Sequence, residues 1–233
     1  MRPRRAWLAL CSAALLGACG SKPPVPDWQL GARDAMERAT GAYLAGDTRI
    51  AQAEFARARA ELARTGRPEL LARAELMRCA GQVASLAFDD CPGFAALAQD
   101  AAAPERAYAA YLAGRAQPPD APLLPEQHRA LVAGSGSAEA LKGMADPLSR
   151  LVAAGVLLRG GRAQPAVAAL AVETASEQGW RRPLLAWLNV QVLQAEAAGA
   201  ADDAARLRRR IALVLQAAAP APVQGPAAST PAP

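Results

Sequence analysis

The chain has 233 residues, with 26 Lys or Arg against 21 Asp or Glu, a single His, four Cys and 4% aromatic residues. One His leaves no ligand set for a multi-His metal site, and so few aromatics leave little for a glycan-binding platform. Arg2, Arg4 and Arg5 stand without an acid in the first 18 residues; the remaining 215 carry 23 basic and 21 acidic residues, a balance of +2 that gives little reason to expect nucleic-acid binding.

The first segment joins that basic cluster to an apolar run from Ala6 to Leu16. Charged start, short apolar middle and small residues before a cut is the layout of a secretory signal. The run is about 11 residues, too short to cross a hydrocarbon layer of about 30 Å as a helix. Its ending, Leu15-Leu16-Gly17-Ala18-Cys19, resembles the lipobox of bacterial lipoproteins. That resemblance implies removal of residues 1–18, a diacylglycerol on the Cys19 sulfur and acylation of the new amine. Several acyl chains hold a protein firmly on a bilayer, where one chain holds it only marginally. Gly20 and Ser21, rather than Asp, follow the cysteine; by the same resemblance the address is the outer membrane, facing the periplasm. Residues 19–26 then form a lipid-anchored tether rich in proline. From Gly20 to Pro26 it reaches at most about 25 Å.

Asp27 has the chemistry of a helix N-cap, and a helical pattern starts at Trp28. From there to about Ala217, Ala, Leu, Arg, Glu and Gln dominate, all good helix formers. No segment alternates apolar and polar for long, and β-branched residues are few, so strands are not expected. Gly46-Asp47 breaks the first helix and caps the second. Ile50, Ala51, Ala53, Phe55, Ala58 and Leu62 give that second helix its apolar side. Thr65-Gly66 ends it, and Pro68 opens a third helix predicted to run to about Phe88. A turn over residues 89–93 precedes a short helix over 94–102 and another from Pro104 to Gly114. Four prolines between Gln117 and Pro125 predict an irregular loop. A short helix over 126–132 and a Gly-Ser-Gly-Ser turn follow. Asp146-Pro147 is a start signal, with helices expected at about 147–159, 163–177, 181–198 and 200–217. Residues 218–233 are Pro- and Ala-rich, a composition that reads as disordered.

Tyr43-Leu44-Ala45-Gly46 recurs as Tyr111-Leu112-Ala113-Gly114, 68 residues on and twice a 34-residue period. Ala39, Gly46, Ala51, Phe55 and Ala58 follow one another at steps of seven, five, four and three. This spacing resembles the tetratricopeptide repeat, best over residues 32–65. The resemblance implies that the small residues let two antiparallel helices approach, that Gly46 turns the corner and that Phe55 wedges between neighbouring hairpins. Ala154, Gly161, Ala166 and Leu170 repeat the spacing more weakly, with Glu173 in place of a small residue. Val192, Gly199 and Ala204 do so again, with Arg208 at the wedge position. Gly114 departs from the pattern, being followed by the Pro-rich loop.

Cys11 falls within the signal and Cys19 takes the lipid, leaving Cys79 and Cys91. In an exported chain such a pair reads as a disulfide closing a 13-residue loop, a constraint of about 3 kcal/mol in the chain-entropy model. The alternative, a metal pair, lacks further ligands nearby. His128 reads as a surface or capping residue. Ser135 and Ser137 lack the strand and the following His of a nucleophile elbow, and Lys142-Gly143 is the wrong order for a phosphate loop. Asp89-Asp90, Asp202-Asp203 and Glu173 with Glu177 are the acid pairs available for glycan chemistry; each also reads as a turn, a helix start or an exposed face. Arg206, Arg208, Arg209 and Arg210 read either as a salt-bridged helix face or as a patch for anionic lipid or an acidic partner. Trp180 and Trp187, seven apart on one helix, are assigned to the core.

The expected architecture is all-α: stacked antiparallel helical hairpins of a tetratricopeptide-like solenoid, with an irregular helical bundle as the alternative. Repeats over 27–116 and hairpins over 146–217 flank a Pro/Gly-rich connection with short helices over 117–145. The expected function is a lipid-anchored, periplasm-facing scaffold or assembly factor that binds an envelope protein, without enzymatic activity, cofactor, metal or nucleic acid. The alternatives are an envelope enzyme acting on peptidoglycan and a lipid-binding or spacer module.

Overall fold

The computed structural model describes residues 24–134 and 136–217. The signal segment, Cys19 and the tether up to residue 23, together with Ser135 and the tail over 218–233, lie outside the described residues. Among the described residues the chain is all-α and no strand occurs. In chain order the helices are α1 (Asp27–Ala45), α2 (Thr48–Ala63), α3 (Pro68–Ala84), α4 (Pro92–Ala95), α5 (Ala103–Leu112), a 3-10 helix (Pro118–Leu123), α6 (Glu126–Val132), α7 (Ala138–Lys142), α8 (Pro147–Arg159), α9 (Pro165–Glu177), α10 (Arg181–Ala197) and α11 (Ala201–Gln216).

The predicted punctuation is mostly where the chain turns. The Asp47 carboxylate accepts from Ile50 N at 3.0 Å, Asp146 from Ser149 N at 2.7 Å and the Ser137 hydroxyl from Ala140 N at 3.2 Å. Each satisfies an N–H that a helix start leaves without a backbone partner. Four local expectations need correction. Asp27 lies in the first turn of α1, after Pro26, rather than capping it. The third helix stops at Ala84, because Leu86 takes a left-handed backbone (φ 58°). The helix expected over 94–102 shrinks to the four residues of α4 and a run of turns. The Pro-rich stretch is helical after all: Gln117 N donates to the Asp120 carboxylate at 2.8 Å and starts a 3-10 turn, which proline tolerates at its first positions.

Two-residue and three-residue connections force antiparallel neighbours, and α1–α2, α9–α10 and α10–α11 pack as such hairpins. Two further contacts join parts far apart in sequence: α3 crosses α8, and α10 packs back on α1. In a one-dimensional stack each hairpin touches only its neighbours; these crossings add contacts between distant parts to the packed all-α hairpins. A single large core therefore runs across the Pro-rich connection. It takes Leu76, Val83, Tyr111, Leu131, Leu151, Leu157, Val167 and Trp187 from both sides. A second, smaller cluster of Ala32, Ala35, Met36, Ala58, Leu62 and Ala74 lies between α1, α2 and α3.

The closest approach is at the α3–α8 crossing. A Cβ on Gly155 would overlap the backbone carbonyl of Val83, so only glycine lets α8 lie this close to α3. The indole N–H of fully buried Trp187 donates to Ala84 O at 3.1 Å, taking up a carbonyl that the end of α3 leaves free. The Cys79–Cys91 disulfide, with Cα atoms 5.9 Å apart, ties the middle of α3 to the start of α4.

Candidate binding groove

The residues that carry the repeat-like spacing meet at one place. Ala39 and Ala51 are buried between α1 and α2, and Ala58 is buried about two turns further along α2. Gly46 turns the corner with φ 92°, a conformation that costs an L side chain but not glycine. Small side chains on both helices let them lie close together. Phe55 then stands half-buried at the side of an open groove whose far wall is α3.

That groove lies between α1, α2 and α3 and has a volume of about 240 Å³. Met36, Ala39, Tyr43, Phe55 and Met77 line its apolar surface; Thr40, Thr48, Gln52, Arg78 and Gln82 supply its polar groups. Met77 is 51% exposed at its edge. No carboxylate lines it. An apolar bed with a few polar groups around it suits an apolar side chain flanked by backbone amides.

Its walls are held by arginines, one from a distant helix and two from the wall helices themselves. Arg182, on α10, lies 4.3 Å over the Tyr43 ring. Its Nε donates to Tyr43 O and its Nη2 to Thr48 Oγ1, each at 2.7 Å. One guanidinium thus takes up a carbonyl at the end of α1 and stacks on an aromatic face, both favourable to Arg. Burial raises the Tyr43 pKa, outweighing the opposite pull of Arg182; the phenol stays protonated and able to donate. Arg78 sits 5.5 Å from the Phe55 centroid, and its Nε donates to the Glu75 carboxylate at 3.0 Å. Arg59 pairs with the other Glu75 oxygen. This buried carboxylate is thus matched by two cations, as burial of a charge requires.

The second copy of the repeated tetrapeptide ends α5 as the first ends α1, and it too is clamped. Arg159 Nη1 donates to Leu112 O at 3.3 Å and to Asp89 O at 3.2 Å, while its Nη2 reaches Asp90 at 3.4 Å. The repeated motif marks two helix ends, each taken up by an arginine from the C-terminal half.

None of the acid pairs singled out in the sequence lines the groove, and only Asp89 touches a residue that does, Gln82. Asp89 accepts from Cys91 N at 2.9 Å and from Gln82 Nε2 at 3.2 Å, which makes it a turn residue. Asp90 pairs with Arg159 and Asp203 with Arg206. Glu173 and Glu177 are exposed on α9. Ser137 caps α7. Among the described residues no group of three or more His, Cys, Asp and Glu could hold a metal ion, and no helix is long and apolar enough to cross a membrane.

His128 is a correction. Rather than lying at the surface it is 1% exposed, with Nδ1 3.0 Å from the Tyr111 hydroxyl and its ring 4.8 Å from that of Tyr111. Burial, only partly opposed by Asp146, pushes its pKa down to about 4, so it is neutral at pH 7. Its helix is short, and no apolar period reveals which face is inward. The signal was the pairing of Tyr108 and Tyr111 three apart on α5, a face that needs a polar partner if buried.

A scan against protein-family models and searches of curated proteins and of solved structures find no match to this chain.

Proposed function

We propose that this chain is a non-enzymatic binding scaffold of the bacterial cell envelope, tethered by lipid at Cys19 to the periplasmic face of the outer membrane. The groove between α1, α2 and α3 is its recognition surface. The observation that carries this reading is the half-buried Phe55 beside Tyr43 and Met77 in an open groove lined by no carboxylate. Half-buried aromatic rings with an exposed, adaptable methionine and polar groups at the edge are the composition of surfaces that hold a partner's apolar anchor. The partner class is an envelope protein that presents an apolar side chain on a peptide segment or helix. The lipid tether rests on the lipobox resemblance of Leu16-Gly17-Ala18-Cys19.

A photo-crosslinker at Met77 in the lipidated full chain should yield one dominant adduct in envelope extracts. The same probe at Asn189, exposed on α10, should not. Phe55→Ala should abolish the Met77 adduct. Equal adducts from both positions, or one indifferent to Phe55→Ala, would remove the groove from consideration. Radiolabelled palmitate incorporated by wild type but not by Cys19→Ser tests the tether.

A further inference from the structure

The last helix, α11, carries a surface that the groove does not use. Arg206, Arg209, Arg210 and Leu213 fall at helical offsets of 0, 3, 4 and 7, so they share one face. Ile211 and buried Ala204 turn the other way, Ile211 packing on the core, and Leu207 lies between the two faces, packed on the core and lining the trough beside the arginines. Arg206 pairs with Asp203, and Arg208, on a different side, pairs with Glu196. Arg209 and Arg210 make no ion pair among the described residues, and both are exposed. Leu213 is 65% exposed and Leu215 is 54% exposed. The ground beside this face is a shallow trough floored by Ala166, Ala169 and Ala195.

We infer that this face of α11 binds the surface of a bilayer containing anionic phospholipid. Two arginines without acid partners define an anion-seeking surface. The shape decides between a lipid surface and an acidic protein. Here the apolar anchor, Leu213, stands out from this chain, and the depth to receive it must come from the other side. A protein acceptor would need a preformed pocket ringed by acids in matching register. A bilayer offers apolar depth beneath an anionic headgroup layer at every point. A leucine among guanidiniums, on a helix lying flat, matches that layering. The inference stands on α11 alone and holds whether or not the groove has the partner proposed above.

The test is co-sedimentation of the full chain carrying Cys19→Ser, so that no acyl group dominates, with vesicles of phosphatidylcholine alone or with about 30 mol% phosphatidylglycerol. Arg209→Gln with Arg210→Gln should lower partitioning onto the anionic vesicles at least about tenfold. Leu213→Gln should lower it by a smaller factor. Arg49→Gln with Arg64→Gln, the same loss of charge on α2 and at its end, should leave it unchanged. Raising salt to about 0.5 M should erase the difference between wild type and the α11 variant. Equal partitioning of those two on anionic vesicles, an equal loss in the α2 variant, or capture of an acidic peptide by α11 without any lipid dependence would overturn the inference.

Discussion

The α1–α2 hairpin and the α3–α8 crossing are built from the same helix-forming residues and are packed in opposite ways. In the hairpin, alanines dominate the shared face, and Arg38 with Glu54 and Arg64 with Glu61 pair on its exposed sides. The surface beside it stays open as a groove. At the crossing, leucine and valine fill the interior, a glycine brings two backbones together and an indole caps a helix end. Alanine lets helices approach but buries little apolar area per residue. The hairpin is thus held largely by what it rests on, the crossing by its own interior. The groove proposed for recognition lies on the thinly filled part, and the densely filled part carries the larger share of the core.

Replacing one glycine in each region tests that contrast most directly. Gly155→Ala should cost about 3 kcal/mol or more, read as a lower urea midpoint, because the added methyl meets the Val83 backbone rather than a side chain that can turn aside. An unchanged midpoint would mean that α3 and α8 are not in backbone contact.

The next effect belongs to the crossing's side of the molecule and is read against pH. An unfolded imidazole takes up a proton near pH 6.5, whereas buried His128 resists until about pH 4. Between those values the unfolded state binds more protons, so stability present above about pH 6.5 is lost as pH falls toward 4. The loss totals about 3 kcal/mol, no larger than that of Gly155→Ala. Most of this window lies above the carboxylate range. Melting temperature should therefore fall from pH 6.5 to 4.5 in wild type, and His128→Gln should flatten the slope. A slope that survives the substitution would place its origin elsewhere.

The smallest effect sharpens the comparison. Gly41 lies within α1 with nothing within 4 Å of where its Cβ would be. Gly41→Ala should stabilise by about 0.5–1 kcal/mol through helix propensity. Hydrogen exchange then separates two outcomes. Slower exchange in α1 and α2 alone would make the hairpin a unit that opens before the crossing. An equal slowing in α3 and α8 would show that both regions open together, and would break the contrast drawn here.

Much of the groove was legible in the sequence. Ala39, Gly46, Ala51 and Ala58 announced a close hairpin, and Phe55 announced a wedge, because small and aromatic side chains at fixed helical steps act within one or two turns. What covers Phe55 was not legible. The next helix, α3, arrives beside it and sets Arg78 over its ring, and the space left between α1, α2 and α3 stays open as the groove. Glu75 was half hidden: Arg78 stands three residues on along the same helix, but nothing near it in the chain reveals that it is buried or that Arg59 supplies the second cation.

By itself the sequence determined the helices, most of their starts and stops, and the spacing that suits the Cys79–Cys91 bond. Those depend on propensity, capping groups and chain connectivity, whose reach is a few residues. Tertiary structure alone decided that His128 is interior, that Arg182 closes the end of α1 from 139 residues away, and that Trp187 caps α3 across 103. The reason is that whether a polar group is buried with a partner depends on which distant helix arrives beside it. That arrival is set by the volume and shape of whole packed faces, not by the residues on either side.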